Sequence, residues 1–187
     1  SPEEIISKIR FLSKQDSRKF SNTLLNENLG SNKLFPGTWN PKKEIKNREV
    51  LILGTGPSIK KYGKALERYI IKKRPYVIAL NIEKSINEKL ITTRAACVPV
   101  RIFSDHANYK KFDQTFILPL SSQGSEIQKK LKKVKIKNYG FLVKGDDFKF
   151  FNTYTTSPYM FALAYALSIA NSGQAKNITL AGIDGYN

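Results

Sequence analysis

Short apolar runs alternate with amphipathic stretches over most of this chain. Val50-Leu51-Ile52-Leu53 is a β-rich run that stops at Gly54. Ile59 to Lys73 places Tyr62, Leu66, Tyr69 and Ile70 on one face, which predicts a helix that Pro75 stops. Tyr76 to Asn81 is almost continuously apolar, as expected of a strand covered on both faces. Val98 to Phe103 predicts a third strand, Thr115 to Pro119 a fourth, and Tyr139 to Val143 a further one. Between them, Tyr109 to Phe112 reads as a short helical link and Ser125 to Lys133 as a basic helix. Gly145-Asp146-Asp147 reads as a turn, and Phe148, Phe150 and Phe151 as an alternating strand or lid. Tyr159 to Ala170 is apolar on nearly every side and predicts a helix buried against the sheet. Thr156 or Ser157 would cap it, Pro158 would fill its first turn, and Ser172-Gly173 would end it. Asn177 to Gly182 predicts another buried strand, followed by Ile183-Asp184-Gly185-Tyr186.

Strands that alternate with helices predict an α/β fold. We expect a Rossmann-like, mostly parallel sheet with helices on both faces over residues 49–187. Residues 1–48 read as a helical linker. Ser1 to Gln15 reads as a helix, with Ile5, Ile9 and Leu12 on one face and Ile6 beside it. Asp16 to Arg48 is a connector with turn signals at Pro36-Gly37 and Pro41, and with one short helix around Phe20–Leu25. Trp39 is expected to anchor the connector on the domain surface.

Composition changes this picture in a few respects. The 187 residues suit one domain with an extension, and a 41% hydrophobic content supports a packed core. No apolar stretch is long enough for a membrane span. The chain starts at Ser1 and its only Met is Met160, which predicts a fragment of a longer protein, incomplete also at its C-terminal end. One cysteine, Cys97, excludes an internal disulfide and is compatible with cytoplasm. With one His, no zinc site is expected, and no metal ligands are assigned. The net charge of +17 favours anionic ligands. Its lysines are scattered where solvated helix faces are expected, with no nucleic-acid motif beside them, so nucleic acid is the weaker partner class.

The candidate chemistry gathers where strands end. Gly54-Thr55-Gly56-Pro57-Ser58 joins a strand to a helix. A Gly-x-Gly turn lets a ligand approach the backbone, and the helix start favours an anion. It is neither a complete G-x-G-x-x-G, since Ile59 holds the third position, nor a P-loop. Asn81, Asp105 and Asp184 end the other strands in this reading, and Thr156 and Ser157 open a second helix. Together they predict a nucleotide pocket: helix starts for phosphate, a carboxylate for ribose hydroxyls. His106 reads as a surface side chain, and Cys97, flanked by Ala96 and Val98, as an inert buried one.

These motifs resemble two families. Gly54-Thr55-Gly56-Pro57-Ser58, Asn81, Thr156-Ser157 and Gly182-Ile183-Asp184-Gly185-Tyr186 are similar to the loops of small bacterial sialyltransferases and of related flagellin-glycosylation domains. That resemblance implies a CMP-sugar donor held by those loops, with no covalent cofactor. Pro158 stands where those enzymes have Gly, and Thr55 where they usually have Asn. Their histidine base follows the Asp-x-Tyr segment, beyond the residues of this chain, so no catalytic residue is assigned. Val77 to Asn81, Ala95 to Arg101, Phe116 to Leu120 and Leu180 to Tyr186 resemble the C-terminal domain of bacterial proteins with an N-terminal 4-hydroxy-2-oxovalerate aldolase-like barrel. Those proteins act in surface-polysaccharide biosynthesis, which implies an aldolase domain in the same chain. The expected function is therefore nucleotide-sugar binding in a glycosyltransferase-like unit. Its rivals are a non-catalytic scaffold domain of an aldolase and a basic nucleic-acid-binding domain. The expected nucleotide site is Gly54, Thr55, Gly56, Pro57, Ser58, Asn81, Thr156, Ser157, Asp184, Gly185 and Tyr186.

Overall fold

The structure is a computed structural model that describes residues 35–144 and 146–185. The expected helices at Ser1 to Gln15 and around Phe20–Leu25, and the residues Gly145 and Tyr186, lie outside them. The framework is a six-stranded, all-parallel sheet. Its strands are β1 (Glu49–Leu53), β2 (Tyr76–Leu80), β3 (Thr93–Ala95), β4 (Thr115–Leu118), β5 (Ile136–Asn138) and β9 (Asn177–Ala181). Strands β6 (Gly140–Val143), β7 (Lys149–Phe150) and β8 (Tyr154–Ser157) form a small second sheet. The helices are α1 (Lys42–Ile45), α2 (Ser58–Lys73), α3 (Pro99–Tyr109), α4 (Ser125–Lys130) and α5 (Ala162–Ser172).

The alternation within strands builds a layer on each face. Val50 and Ile52 of β1 pack with Tyr165, Ala166, Ile169 and Ala170 of α5. Leu51 and Leu53 point the other way, onto Ile59 and Ile70 of α2. In β4, Ile117 joins the α5 layer while Phe116 and Leu118 meet Ile102 and Tyr109 of α3 and Ile127 of α4. Helices therefore cover both faces, which makes this the Rossmann-like α/β arrangement. In the order β5-β4-β3-β2-β1-β9 the chain runs outward from β1 to β5, then returns to the opposite side of β1. The connection changes direction between β1 and β9, and such a switch point opens a crevice at the carboxyl ends of the strands.

Residues 35–48 are stitched to this body. Thr38 and Trp39 donate backbone N–H groups to the Asn138 carbonyl at 2.9 and 3.0 Å. Trp39 packs on the α5 layer, edge-on to Tyr139. The Glu44 carboxylate accepts from Trp39 Nε1 at 3.2 Å, Tyr76 hydroxyl at 3.0 Å and Lys137 Nζ at 2.5 Å. Burial alone would raise its pKa, but the Lys137 charge and the three hydrogen bonds hold it below the usual range.

Several expectations need correction. The third strand is Thr93–Ala95, and Val98 to Phe103 is not a strand. Pro99 takes the first position of α3, where an N–H is not needed, and Ile102 donates its N–H to the Val98 carbonyl at 2.9 Å. Asp105 therefore lies within α3 and not at a strand end, and Tyr109 closes that helix. Thr156 and Ser157 lie in β8 and do not cap a helix: α5 starts at Ala162, after Phe161. The Ser157 hydroxyl instead donates to the Tyr159 carbonyl at 2.7 Å, which turns the chain before α5. Tyr62 is exposed, because the buried face of α2 is Ile59, Gly63 and Ile70. Strand β9 is an exposed edge rather than a buried strand: it pairs with β1, and Ile178 and Leu180 remain accessible.

Candidate functional site

At the switch point, the turns after β1 and β9 interlock. Gly54 donates its N–H to the Ala181 carbonyl at 2.8 Å, and Gly56 to the Gly182 carbonyl at 2.9 Å. Side chains at either glycine would collide with this neighbour. A Cβ on Gly54 would meet the Gly182 oxygen and the Ile183 side chain; one on Gly56 would meet the Asp184 carboxylate. Neither residue has a positive φ, so close approach explains these glycines, not a special backbone angle. Around this turn, Gly182 (φ 71°), Gly185 (φ 77°) and Asn81 (φ 54°) are left-handed.

The start of α2 already faces an anion. Asp184 Oδ2 accepts from the Ser58 backbone N–H at 2.8 Å. Hydrogen bonds from the Ser58 side chain and backbone hold the Asp184 carboxyl below its ordinary range, although it is fully exposed. The Ile59 N–H is turned to the Gly56 carbonyl at 3.2 Å. The helix start that was expected to hold phosphate is thus met by a carboxylate of the same chain.

Beside this turn lies a cleft of about 560 Å³, lined by the glycine turns, Asn81, Val98, Arg101, residues 160–163 and the turn after β9. Among the described residues that line it, Arg101 is the cation. Arg101 Nε donates to Asp105 Oδ2 at 2.5 Å, one helical turn away. Asp105 is only 4% exposed, so a buried carboxylate fixes the guanidinium while Arg101 lines the cleft. A guanidinium oriented through one edge retains donors for a phosphate or carboxylate. The apolar wall is Leu80, Val98, Met160, Phe161 and Leu163.

Of the expected site residues, the structure brings Gly54, Thr55, Gly56, Pro57, Asn81, Asp184 and Gly185 to this cleft. Ser58 reaches it through Asp184. Thr156 and Ser157 do not line it, and Ser157 is fully buried in β8. Arg101, Met160 and Phe161 were not anticipated. The signal for Arg101 was its spacing to Asp105, which is a salt-bridge spacing only if the segment is helical. His106 sits in the last turn of α3 with Nδ1 2.6 Å from the Phe103 carbonyl and does not line the cleft. Cys97 is fully buried, and burial pushes its thiol pKa up, away from a reactive thiolate.

No protein-family model matches this chain, and no curated protein matches it. Among the described residues, no cluster of His, Cys, Asp or Glu side chains could hold a metal ion. No helix among them is long and apolar enough to cross a membrane.

Proposed function

We propose that the cleft binds a nucleotide or nucleotide-sugar, of the CMP-linked type, and that the chain is a glycosyltransferase-like unit of surface-glycan biosynthesis joined to an aldolase barrel. Arg101 carries the reading. A cation held by a buried carboxylate lines a cleft at the sheet's switch point, where this architecture takes its ligands. In this reading the phosphate sits on Arg101, and the Asp184 carboxylate accepts ribose hydroxyls. Asn81 offers an amide to the base or sugar. Transfer would be direct displacement: the acceptor hydroxyl oxygen bonds the sugar carbon as that carbon's bond to the phosphate oxygen breaks, the nucleotide phosphate leaves with the bonding pair, and the hydroxyl proton passes to solvent water. Arg101 would then stabilise the charge left on the nucleotide phosphate.

The test is a thermal-shift panel of CMP, CDP, UDP, GDP, NAD and ATP at moderate salt. A ligand that binds only the native state raises the melting temperature, by an amount that grows with the logarithm of its concentration over its Kd. The reading expects a CMP-selective shift and roughly tenfold weaker binding in Arg101→Ala. A flat panel would overturn it. One observation favours a second reading, a ligand-free scaffold domain: Gly54 and Gly56 are required by the approach of the β9 turn alone. That reading expects the flat panel.

A further inference from the structure

Beside the cleft, the chain displays aromatic rings to solvent. Tyr159 is 63% exposed and Phe161 is 55% exposed. Their centroids are 5.6 Å apart with planes 32° from parallel, so they form one shallow shelf. Phe161 also lines the cleft, which makes shelf and cleft continuous. Phe148 is exposed too and lies at the same end of β8, because its neighbour Lys149 pairs with Thr156.

The shelf is held in place. The buried Ser157 hydroxyl donates to the Tyr159 carbonyl at 2.7 Å and accepts the Tyr159 N–H at 3.3 Å. Pro158, between them, has a fixed φ. A ring on such a turn has little backbone freedom left to lose on binding. Exposing large rings is unfavourable, so a rigid pair at a cleft mouth calls for an occupant. Even with Phe148, the exposed rings fall well short of the roughly 800 Å² per partner of a stable protein interface. They match one flat, partly apolar molecule, such as a pyranose ring presenting its C–H face.

We propose that Tyr159 and Phe161 form the docking shelf for the saccharide acceptor. The proposal rests on the nucleotide-sugar reading of the cleft: beyond the donor's sugar, the next group outward is the acceptor. A pyranose laid on the rings would present its edge hydroxyl toward the cleft.

Saturation-transfer difference NMR on the full chain tests this, with methyl β-galactoside, methyl α-mannoside and N-acetylglucosamine as probes, alone and with CMP. At least one probe should receive saturation on its ring C–H protons. Tyr159→Leu, which keeps an apolar side chain but removes the ring, should weaken that probe roughly fivefold to tenfold. Tyr159→Phe should retain it, and CMP binding should be unchanged in both variants. No transfer to any probe would overturn the proposal, as would equal transfer in Tyr159→Leu. Loss of CMP binding in Tyr159→Leu would also overturn it, by making the shelf a platform for the base. Saccharide binding with no CMP binding would instead overturn the nucleotide reading and leave the shelf a saccharide site.

Discussion

Gly54 and Gly56 lie where two chain turns touch, and nothing larger fits between them. A methyl on Gly54 would press on the Gly182 carbonyl and on Ile183 Cδ1, the latter at 2.5 Å. Gly54→Ala should therefore cost about 1–3 kcal/mol, as overpacking of a closed contact does, measured by urea unfolding. A cost near zero would mean that the β9 turn is not seated there. Glu44 makes a pH-dependent contribution. Its folded pKa is below its unfolded value, so its stabilisation is complete above the unfolded value near 4.5 and is lost as pH falls through the lowered folded one. Glu44→Gln should flatten the fall in melting temperature as pH drops below the unfolded value near 4.5, since the variant has no carboxylate there to protonate. An unchanged acid profile would show that Lys137, Tyr76 and Trp39 do not hold that carboxylate in solution. Asp105 is a positioning residue. Asp105→Asn should weaken nucleotide binding less than Arg101→Ala, because the guanidinium remains but is no longer fixed.

Elements differ in how openly the sequence shows them, and for physical reasons. Strands β1, β2 and β4 are legible because both faces are buried, which demands unbroken apolar residues. Strand β3 is hidden because its centre is Arg94, fully buried, with Nη1 on the Glu83 carbonyl at 2.6 Å and its guanidinium over the Phe112 ring. A buried arginine breaks the apolar pattern that marks a strand. Val98 to Phe103 shows the opposite case. Its β-branched residues favour a strand, yet packing of Ile102 against Phe116 and the Arg101–Asp105 pair select a helix. At Thr156-Ser157-Pro158 the capping residues are present in sequence, but hydrogen bonds to β6 claim them first. The candidate site was legible at Gly54, Gly56, Asn81 and Asp184, which are strand-end residues. It was not legible at Arg101, whose role follows from the misread helix. At this scale, hydrogen exchange should rank β9 below β1 and β2. Strand β9 is an accessible edge paired to β1, whereas β1 lies between β2 and β9. Equal protection would mean that β9 is covered in solution.

At the scale of the whole molecule, charge and cleft make different claims. A chain of +17 will attract any polyanion at low salt. Such binding fades steeply as salt rises, while a nucleotide held by a fixed guanidinium and an apolar wall loses less. The central claim is one of place: the ligand enters at the switch point between β1 and β9. The most direct test is a backbone amide NMR titration of the isotope-labelled chain with CMP at 0.2 M salt, where surface attraction is screened within about 7 Å. The account predicts shifts confined to Gly54, Thr55, Gly56, Asn81, Arg101, Asp184 and Gly185. Shifts spread over the lysines of α4 and the turn before β5, or no shifts at all, would contradict it.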